Sequence, residues 1–285
     1  MSRFPNPIGL PEVAKWMKAQ QVPPWFAAPL DYVLTNVSSP SLTANATPHA
    51  KGAWAQLTAS TPGACNALIL EVHSVATTAT ATATLLDIGI GAAGSEVAIA
   101  ENIAIGSAAV GTGNGINFTL PVYVPAGVRL AARIQSLVAN KTCTLVWTLN
   151  YDRNGVETPT ALDVLGTSTS TSTGTALSTA GTYVEVVAAT AKTYSAIGIV
   201  PSASGTNMAS YNLTYTLAVG PAGSEVDMAV FSKIVSSSAE YMARPNVSPA
   251  IYALNIPTGS RLSVKQAGAT ANQSQYHVTL IGVPA

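Results

Sequence analysis

"GAAGSEVAIA", residues 91–100, and "GPAGSEVDMA", residues 220–229, are the stretches on which the fold turns. One Gly-Ser-Glu loop could hold a substrate; two of them, 129 residues apart, mark a unit built twice. At that offset Gly91, Ala93, Gly94, Ser95, Glu96, Val97 and Ala100 coincide with Gly220, Ala222, Gly223, Ser224, Glu225, Val226 and Ala229. Gly52 falls on Gly181, Trp54 on Tyr183, and Ala67-Leu68 on Ala196-Ile197. Further on, "VPAGVRLAARIQ" from 124 answers "IPTGSRLSVKQ" from 256, with Pro125, Gly127, Arg129 and Leu130 on Pro257, Gly259, Arg261 and Leu262 at an offset of 132. Ordered matches at nearly constant spacing establish a tandem duplication. The period is far longer than a solenoid repeat, so each copy should enclose its own core.

Within each copy the pattern is strand after strand. "GAWAQLT", "ALILEVHSV", "ATLLDIGIG", "VAIAENIAI", "INFTLPVYV", "VRLAARIQS" and "TCTLVWTLN" are short, β-rich and separated by Gly, Pro, Asn or Ser. In "INFTLPVYV", Ile116, Phe118, Leu120, Val122 and Val124 share one face, because successive residues of a strand point to opposite sides. The "PAGVRL" motif reads as a turn, with Pro fixing φ and Gly releasing the chain, followed by a strand that alternates Arg129, Ala131 and Arg133 against Leu130, Ala132 and Ile134. Seven or eight such strands per copy predict an all-β protein of two tandem, duplicated antiparallel β-sandwiches, with jelly-roll preferred to immunoglobulin topology. The expected division is an N-terminal arm at 1–50, copy 1 at 51–152, a Thr/Ser-rich linker or crossing segment at 153–180, and copy 2 at 181–285.

Composition narrows the function. Hydrophobic residues make up 48% and charged residues only 9%, against about 25% charged in ordinary soluble domains. No apolar run reaches the roughly 20 residues of a spanning helix, so no membrane role is expected. Thirteen basic residues balance thirteen acidic ones, which leaves no basic field for nucleic acid. An uncharged, Thr-rich surface suits extensive contact with other subunits, where each buried charge would need a partner. The first residues, "MSRFPNPIGLPEVAKWMKAQ", lack the apolar core of a secretory signal, so synthesis in the cytoplasm is expected. Cys65 and Cys143 lie in strand-like runs and read as buried free thiols.

Residues 1 to about 50 read as different in kind. Prolines at 5, 7, 11, 23, 24 and 29 accompany Phe4, Trp16, Trp25, Phe26 and Tyr32. A short helix is expected from Leu10-Pro11-Glu12, with Val13, Trp16 and Met17 on one face. Either this arm lies on its own domain, or it anchors in another subunit through Phe4, Trp16, Met17, Trp25 and Phe26. Extended Pro-rich segments lose little entropy on binding and aromatic residues supply contact area.

Residues that could carry chemistry are sparse. The histidines are His49, His73 and His277; Glu71 and His73 share a strand face, yet two residues make neither a triad nor a metal site. "GTGNG", 111–115, lacks the Lys-Ser/Thr of a phosphate loop and reads as a loop tip. Asp152, Glu157 and Asp163 lie in the linker with nothing to pair them as acid and base, and no GxSxG nucleophile elbow occurs. No catalytic residue, metal site or cofactor is therefore expected. Glu96 and Glu225 are read as structural partners of the equally duplicated Arg129 and Arg261, each within about 4 Å of the arginine of its own copy.

The Ala/Thr/Gly-rich β composition, the tandem copies, the "VPAGVRLAARIQS" and "IPTGSRLSVKQ" strands and the Pro/aromatic arm together resemble virion structural proteins of tailed bacteriophages, in the group that decorates the capsid or attaches to the neck and tail. The resemblance implies a non-enzymatic virion component, a capsid decoration or cement protein, acting as a homo-oligomer with a trimer favoured and bound to major capsid or tail proteins. The alternative is a tail fibre, spike or collar protein whose arm plugs into the tail and whose sandwiches bind a host glycan or receptor. Tyr183, Tyr194, Tyr211, Tyr215, Tyr241, Tyr252 and Tyr276 would then offer stacking faces for sugar.

Overall fold

The computed structural model describes residues 40–73, 83–105, 116–150, 158–177, 179–203, 211–235, 250–268 and 276–285. The proposed arm, its helix and the anchor residues Phe4, Trp16, Met17, Trp25 and Phe26 lie outside the described residues. Every regular element among the described residues is a β-strand. The first unit comprises β1 (Ser41–Thr43), β2 (Ala55–Thr58), β3 (Ala67–His73), β4 (Thr84–Ile90), β5 (Val97–Ala104), β6 (Ile116–Leu120), β7 (Leu130–Ser136) and β8 (Thr142–Asn150). A crossing segment carries β9 (Asp163–Leu165) and β10 (Thr167–Ser168). The second unit comprises β11 (Thr173–Ala176), β12 (Val184–Val187), β13 (Tyr194–Ala203), β14 (Tyr211–Val219), β15 (Val226–Val235), β16 (Ala250–Ile256), β17 (Leu262–Ala267) and β18 (Tyr276–Pro284).

The first unit pairs its strands antiparallel in two sheets, β1-β8-β3-β6 and β2-β7-β4-β5. The second repeats this strand for strand as β11-β18-β13-β16 and β12-β17-β14-β15, with β10 added beyond β11 and β9 paired to β18. Sheets that interleave early and late strands of an eight-strand unit are jelly rolls. The register repeats as well: Leu68 lies across from Leu149 and Leu120, and Ile197 across from Gly282 and Tyr252. Burial follows the pleat. In β8, Cys143, Leu145, Trp147 and Leu149 enter the core while Thr144, Val146 and Thr148 stay half-buried.

The unit boundaries differ from those read in the sequence. β1 belongs to the first roll although it lies inside the segment assigned to the arm, and β11, inside the presumed linker, is the first strand of the second roll. Leu42 and Leu177 sit at equivalent places, both fully buried, where the edge strand meets Cys143 and Tyr276 respectively. Strands of three or four residues written in Ser, Thr and Gly carry too little alternation to be seen from sequence. Cys65 and Cys143 are free and buried, and burial pushes their thiols up to about 11 and about 12.

The duplicated turns are built alike. Gly127 and Gly259 take φ of 75° and 83° in the Pro-x-Gly turns, a region that costs other residues strain. Each donates its N–H to the carbonyl of a threonine, Thr61 or Thr190, at 2.8 Å. The same threonines close the turn with their hydroxyls, which donate to the carbonyls of Pro125 and Pro257.

Candidate assembly site

The duplicated Gly-Ser-Glu corner is held by its own glutamate. Glu96 Oε1 lies 2.5 Å from Arg129 Nη1, and Glu225 Oε1 lies 3.1 Å from Arg261 Nη1. The second carboxylate oxygen accepts the N–H of Gly94 or Gly223 at 2.9 Å, fastening the turn two residues back. Loss of solvent alone would raise the Glu96 carboxyl. The hydrogen bonds from its own N–H, Arg129 and Gly94 outweigh it, so the group titrates below the usual carboxylate range. Glu225 is lowered first by its own N–H, then, against loss of solvent, by Arg261 and Gly223. Arg261 is raised chiefly by its hydrogen bond to Glu185, at 2.8 Å; Arg129 Nε donates to Gln56 at the equivalent place.

On the same outer face an aromatic ring carries a cation in both copies. The Arg133 guanidinium stacks 4.2 Å from the Trp54 ring, and the Lys265 ammonium stands 4.3 Å from the Tyr183 ring. Trp54 also lies over Gly89, where a Cβ would come within 2.8 Å of the indole. Lys265 pairs with Asp227 at 3.3 Å, and Tyr183 donates to the same carboxylate. These charges hold strands together.

The first copy adds a buried carboxylate that sequence reasoning missed. Asp87, 4% exposed in its side chain, accepts from Lys51 Nζ at 2.7 Å and Arg133 Nε at 2.8 Å, while its other oxygen takes the N–H of Asn102 at 2.7 Å. Both cations also reach Glu101, at 3.1 and 3.4 Å. The geometry arises from a bulge. The β4–β5 register shifts twice, once around Glu101 and Asn102, whereas β14–β15 shifts only once. Asn102 accordingly takes φ of 63°, and Asp87 ties down the N–H that the bulge turns away from the ladder.

This network borders the place where the two rolls meet. Asn102 O accepts from Thr167 Oγ1 at 3.0 Å, and Ile99 O accepts from Leu162 N at 2.8 Å. Ser172 is buried at φ of 54°, its hydroxyl bonded to His49 Nδ1 at 2.9 Å and reached by Gln135 Nε2 at 3.2 Å. The crossing segment is therefore laced to the first roll while β9 extends the β18 sheet of the second. Beneath the lacing, Ile99, Leu162, Ala196, Val200, Ile281 and Val283 belong to the same apolar cluster as the first roll's core. This is why β18 is buried along nearly its whole length, where β8 alternates.

Of the sequence candidates, the two Glu–Arg pairs come together within their own copies. His49 holds the crossing segment. The buried His277 donates through Nδ1 to the carbonyl of Gly174, and loss of solvent pulls its imidazole below the ordinary range against the pull of that bond. His73's side chain, "GTGNG", Asp152 and Glu157 lie outside what is described. Asp163 pairs with Lys192 at 2.9 Å and accepts from Tyr194 Oη. Tyr194, Tyr215 and Tyr276 turn into the second core. Among the described residues, no group of three His, Cys, Asp or Glu side chains is placed to hold a metal ion, and no helix is long and apolar enough to cross a membrane.

No family model and no curated protein matches the chain. Among solved structures, PNGase F, a glycosylasparaginase from Flavobacterium meningosepticum, is similar at 11% identity and a TM-score of 0.36, over 87% of this chain and 96% of that one. A TM-score this low supports no statement about activity, and the fold rests on the chain's own sheets.

Proposed function

We propose that the protein is a non-enzymatic structural component of a tailed-phage virion, a capsid decoration protein that acts as a homo-oligomer on the particle exterior. The observation that carries the reading is the use of polar chemistry. The duplicated carboxylates are spent on ion pairs inside their own sheets, and the further polar network laces one roll to the other. A protein whose charges are committed to rigidity, and whose remaining surface is small, apolar or Thr-rich, is built to be packed against. The sequence resemblance supplies the setting. Stapling across capsomer boundaries by linked modules gains affinity through effective concentration. The tail-fibre reading loses part of its support, since Tyr194, Tyr215 and Tyr276 are core residues with no face free for sugar.

The test is cryo-electron microscopy of virions from the genome that encodes the chain, with mass spectrometry of the purified particles. Many copies on the shell are expected. A few copies at the tail would replace decoration with the fibre reading, and absence from the particle would overturn both.

A further inference from the structure

The two rolls close the same edge by different means. In the first, the crossing segment lies outside β5 and takes its outward carbonyls: Leu162 N donates to Ile99 O at 2.8 Å, and Thr167 Oγ1 to Asn102 O at 3.0 Å. The equivalent edge of the second roll is β15, the last strand of its sheet, and among the described residues no strand pairs with its outer side.

The direction of the β15 backbone follows from its neighbours. Gly220 N donates to Arg261 O, so the backbone groups of every second residue before it, Ala218 and Thr216, face β17. Val230 is the partner of Thr216 and therefore turns its own N–H and C=O away from β14, to the open edge. That carbonyl is where an added strand would bond, and it is already taken: Tyr252 Oη donates to Val230 O at 2.6 Å. The side chains nearby would not keep a strand away. Val226, Met228 and Val230 are 62%, 39% and 53% exposed, and Asp227 between them is tied to Lys265 and Tyr183.

Tyr252 reaches the edge from the opposite sheet. It lies across from Ile197 in β13, with its ring packed against the second core. The first roll has Leu120 at this place, across from Leu68, fully buried and with no hydroxyl to give. Where the crossing segment covers the edge, a leucine closes the side of the sandwich. On the uncovered edge a tyrosine does so, and its hydroxyl holds the edge carbonyl.

We propose that Tyr252 guards the β15 edge against strand addition by a second copy of this chain. An antiparallel newcomer would exchange two hydrogen bonds with Val230. It must first displace the phenol, and the bulge beside Met228 denies it a straight register. Association through this edge is thereby suppressed, and assembly is left to other surfaces. The inference goes beyond the proposed function and does not rest on the virion.

The test is Tyr252→Phe in the full chain, which keeps the ring and removes only the hydroxyl; circular dichroism and the thermal midpoint establish that it folds. In sedimentation velocity over a concentration series, large species should appear at a concentration about two- to tenfold lower for the variant than for wild type, the worth of one neutral hydrogen bond. The amide infrared band of the associated fraction should show new intermolecular strand pairing. Tyr252→Leu, the residue of the first roll at this place, should behave in the same way. Adding Val230→Lys to either variant puts a charge on the edge at an exposed position and should restore the wild-type distribution. Unchanged distributions for the folded variants, association that Val230→Lys does not reverse, or association without new strand pairing would each overturn the proposal. Absence of the protein from virions would overturn the proposed function and leave these outcomes untouched.

Discussion

Replacing Asp87 tests whether the first roll and its junction depend on one buried carboxylate. Asp87→Ala removes three charge-assisted hydrogen bonds, from Lys51, Arg133 and the N–H of Asn102. The Asn102 N–H, turned off the ladder by the bulge, then has no acceptor, which costs about 1–3 kcal/mol. Breaking a buried ion pair costs about 3–5 kcal/mol when the remaining charge is stranded. Here Lys51 and Arg133 keep Glu101 and are 27% and 20% exposed, so the lower end applies. The expected loss is about 3 kcal/mol. Asp87→Asn keeps an oxygen for Asn102 and should lose about half of that. Glu101→Gln, at a half-exposed carboxylate, should lose less than about 1 kcal/mol. Trp54 and Trp147 lie in the first roll and the second roll has no tryptophan, so tryptophan fluorescence of a Trp16→Phe, Trp25→Phe background during urea unfolding reads the first roll. The reasoning fails if Asp87→Ala costs less than about 1 kcal/mol, or if Asp87→Asn is the more damaging of the two.

Other outcomes can be checked by unfolding, followed by tryptophan fluorescence for the first roll and by circular dichroism for the second. The lowered carboxyls of Glu96 and Glu225 contribute stability that is full above the ordinary carboxylate range and is lost as pH falls through their depressed folded values; the Glu96→Gln, Glu225→Gln chain should therefore show a shallower loss of stability in acid, and an unchanged acid limb would refute it. The imidazole of His277 is also lowered, so its contribution is full above its ordinary value of 6.5 and declines below it; His277→Asn, read by tyrosine-dominated circular dichroism of the second roll, should flatten that decline. Ile99→Ala should cost about 2–4 kcal/mol as a buried cavity, whereas Met228→Ala should leave the isolated chain within about 1 kcal/mol. Gln266 is fully buried, and among the described residues neither its amide oxygen nor its nitrogen meets a partner; Gln266→Ile, the residue found at 134 in the first roll, should stabilise by about 1–3 kcal/mol, and a loss instead would show that enclosed water satisfies the amide.

What the sequence displayed and what it hid have a common physical cause. Strands with a solvent face and a core face announce themselves, so β8 and the buried Leu120, Val122 and Val124 are legible as alternation. Repeated turns were legible too, because glycine at positive φ and proline cannot be exchanged freely, and the Glu–Arg pairs followed from them. Nothing local distinguishes a jelly roll from other sandwiches; the sheet orders that establish it are long-range pairings. β1 and β11 were hidden because three or four small polar residues show no period. Asp87 was hidden because it sits in an otherwise apolar strand, Thr84–Ile90, and its partners come from residues 51, 101, 102 and 133. One polar signal is present in the sequence: Thr61 and Thr190, and Gln56 and Glu185, lie at the same offset of 129 as the glycine motif, whereas Asp87 falls on Thr216 and has no duplicate.

Duplication makes each roll a control for the other, and the differences fall where the neighbours differ. The outer face of β13 and β18 carries Ala196, Gly198, Val200 and Ile281, small or aliphatic and covered; the same positions on β3 and β8 carry Ala67, Ile69, Glu71 and Thr148, half-buried. The bulge that sets Asn102 and the Asp87 network occurs only where a crossing segment has to be received. The second core exchanges Leu86, Ile134 and Cys143 for Tyr215, Gln266 and Tyr276, a polar substitution tolerated inside a sandwich whose outer sheet is sealed. Burial of the Tyr215 phenol raises it well above its ordinary value, with Tyr276 adding to the shift, so Tyr215 remains a neutral core residue. A roll that is covered on one sheet can lose alternation there and gain a second apolar face. The first roll keeps alternation on that sheet, and the second leaves Met228 exposed where the first buries Ile99.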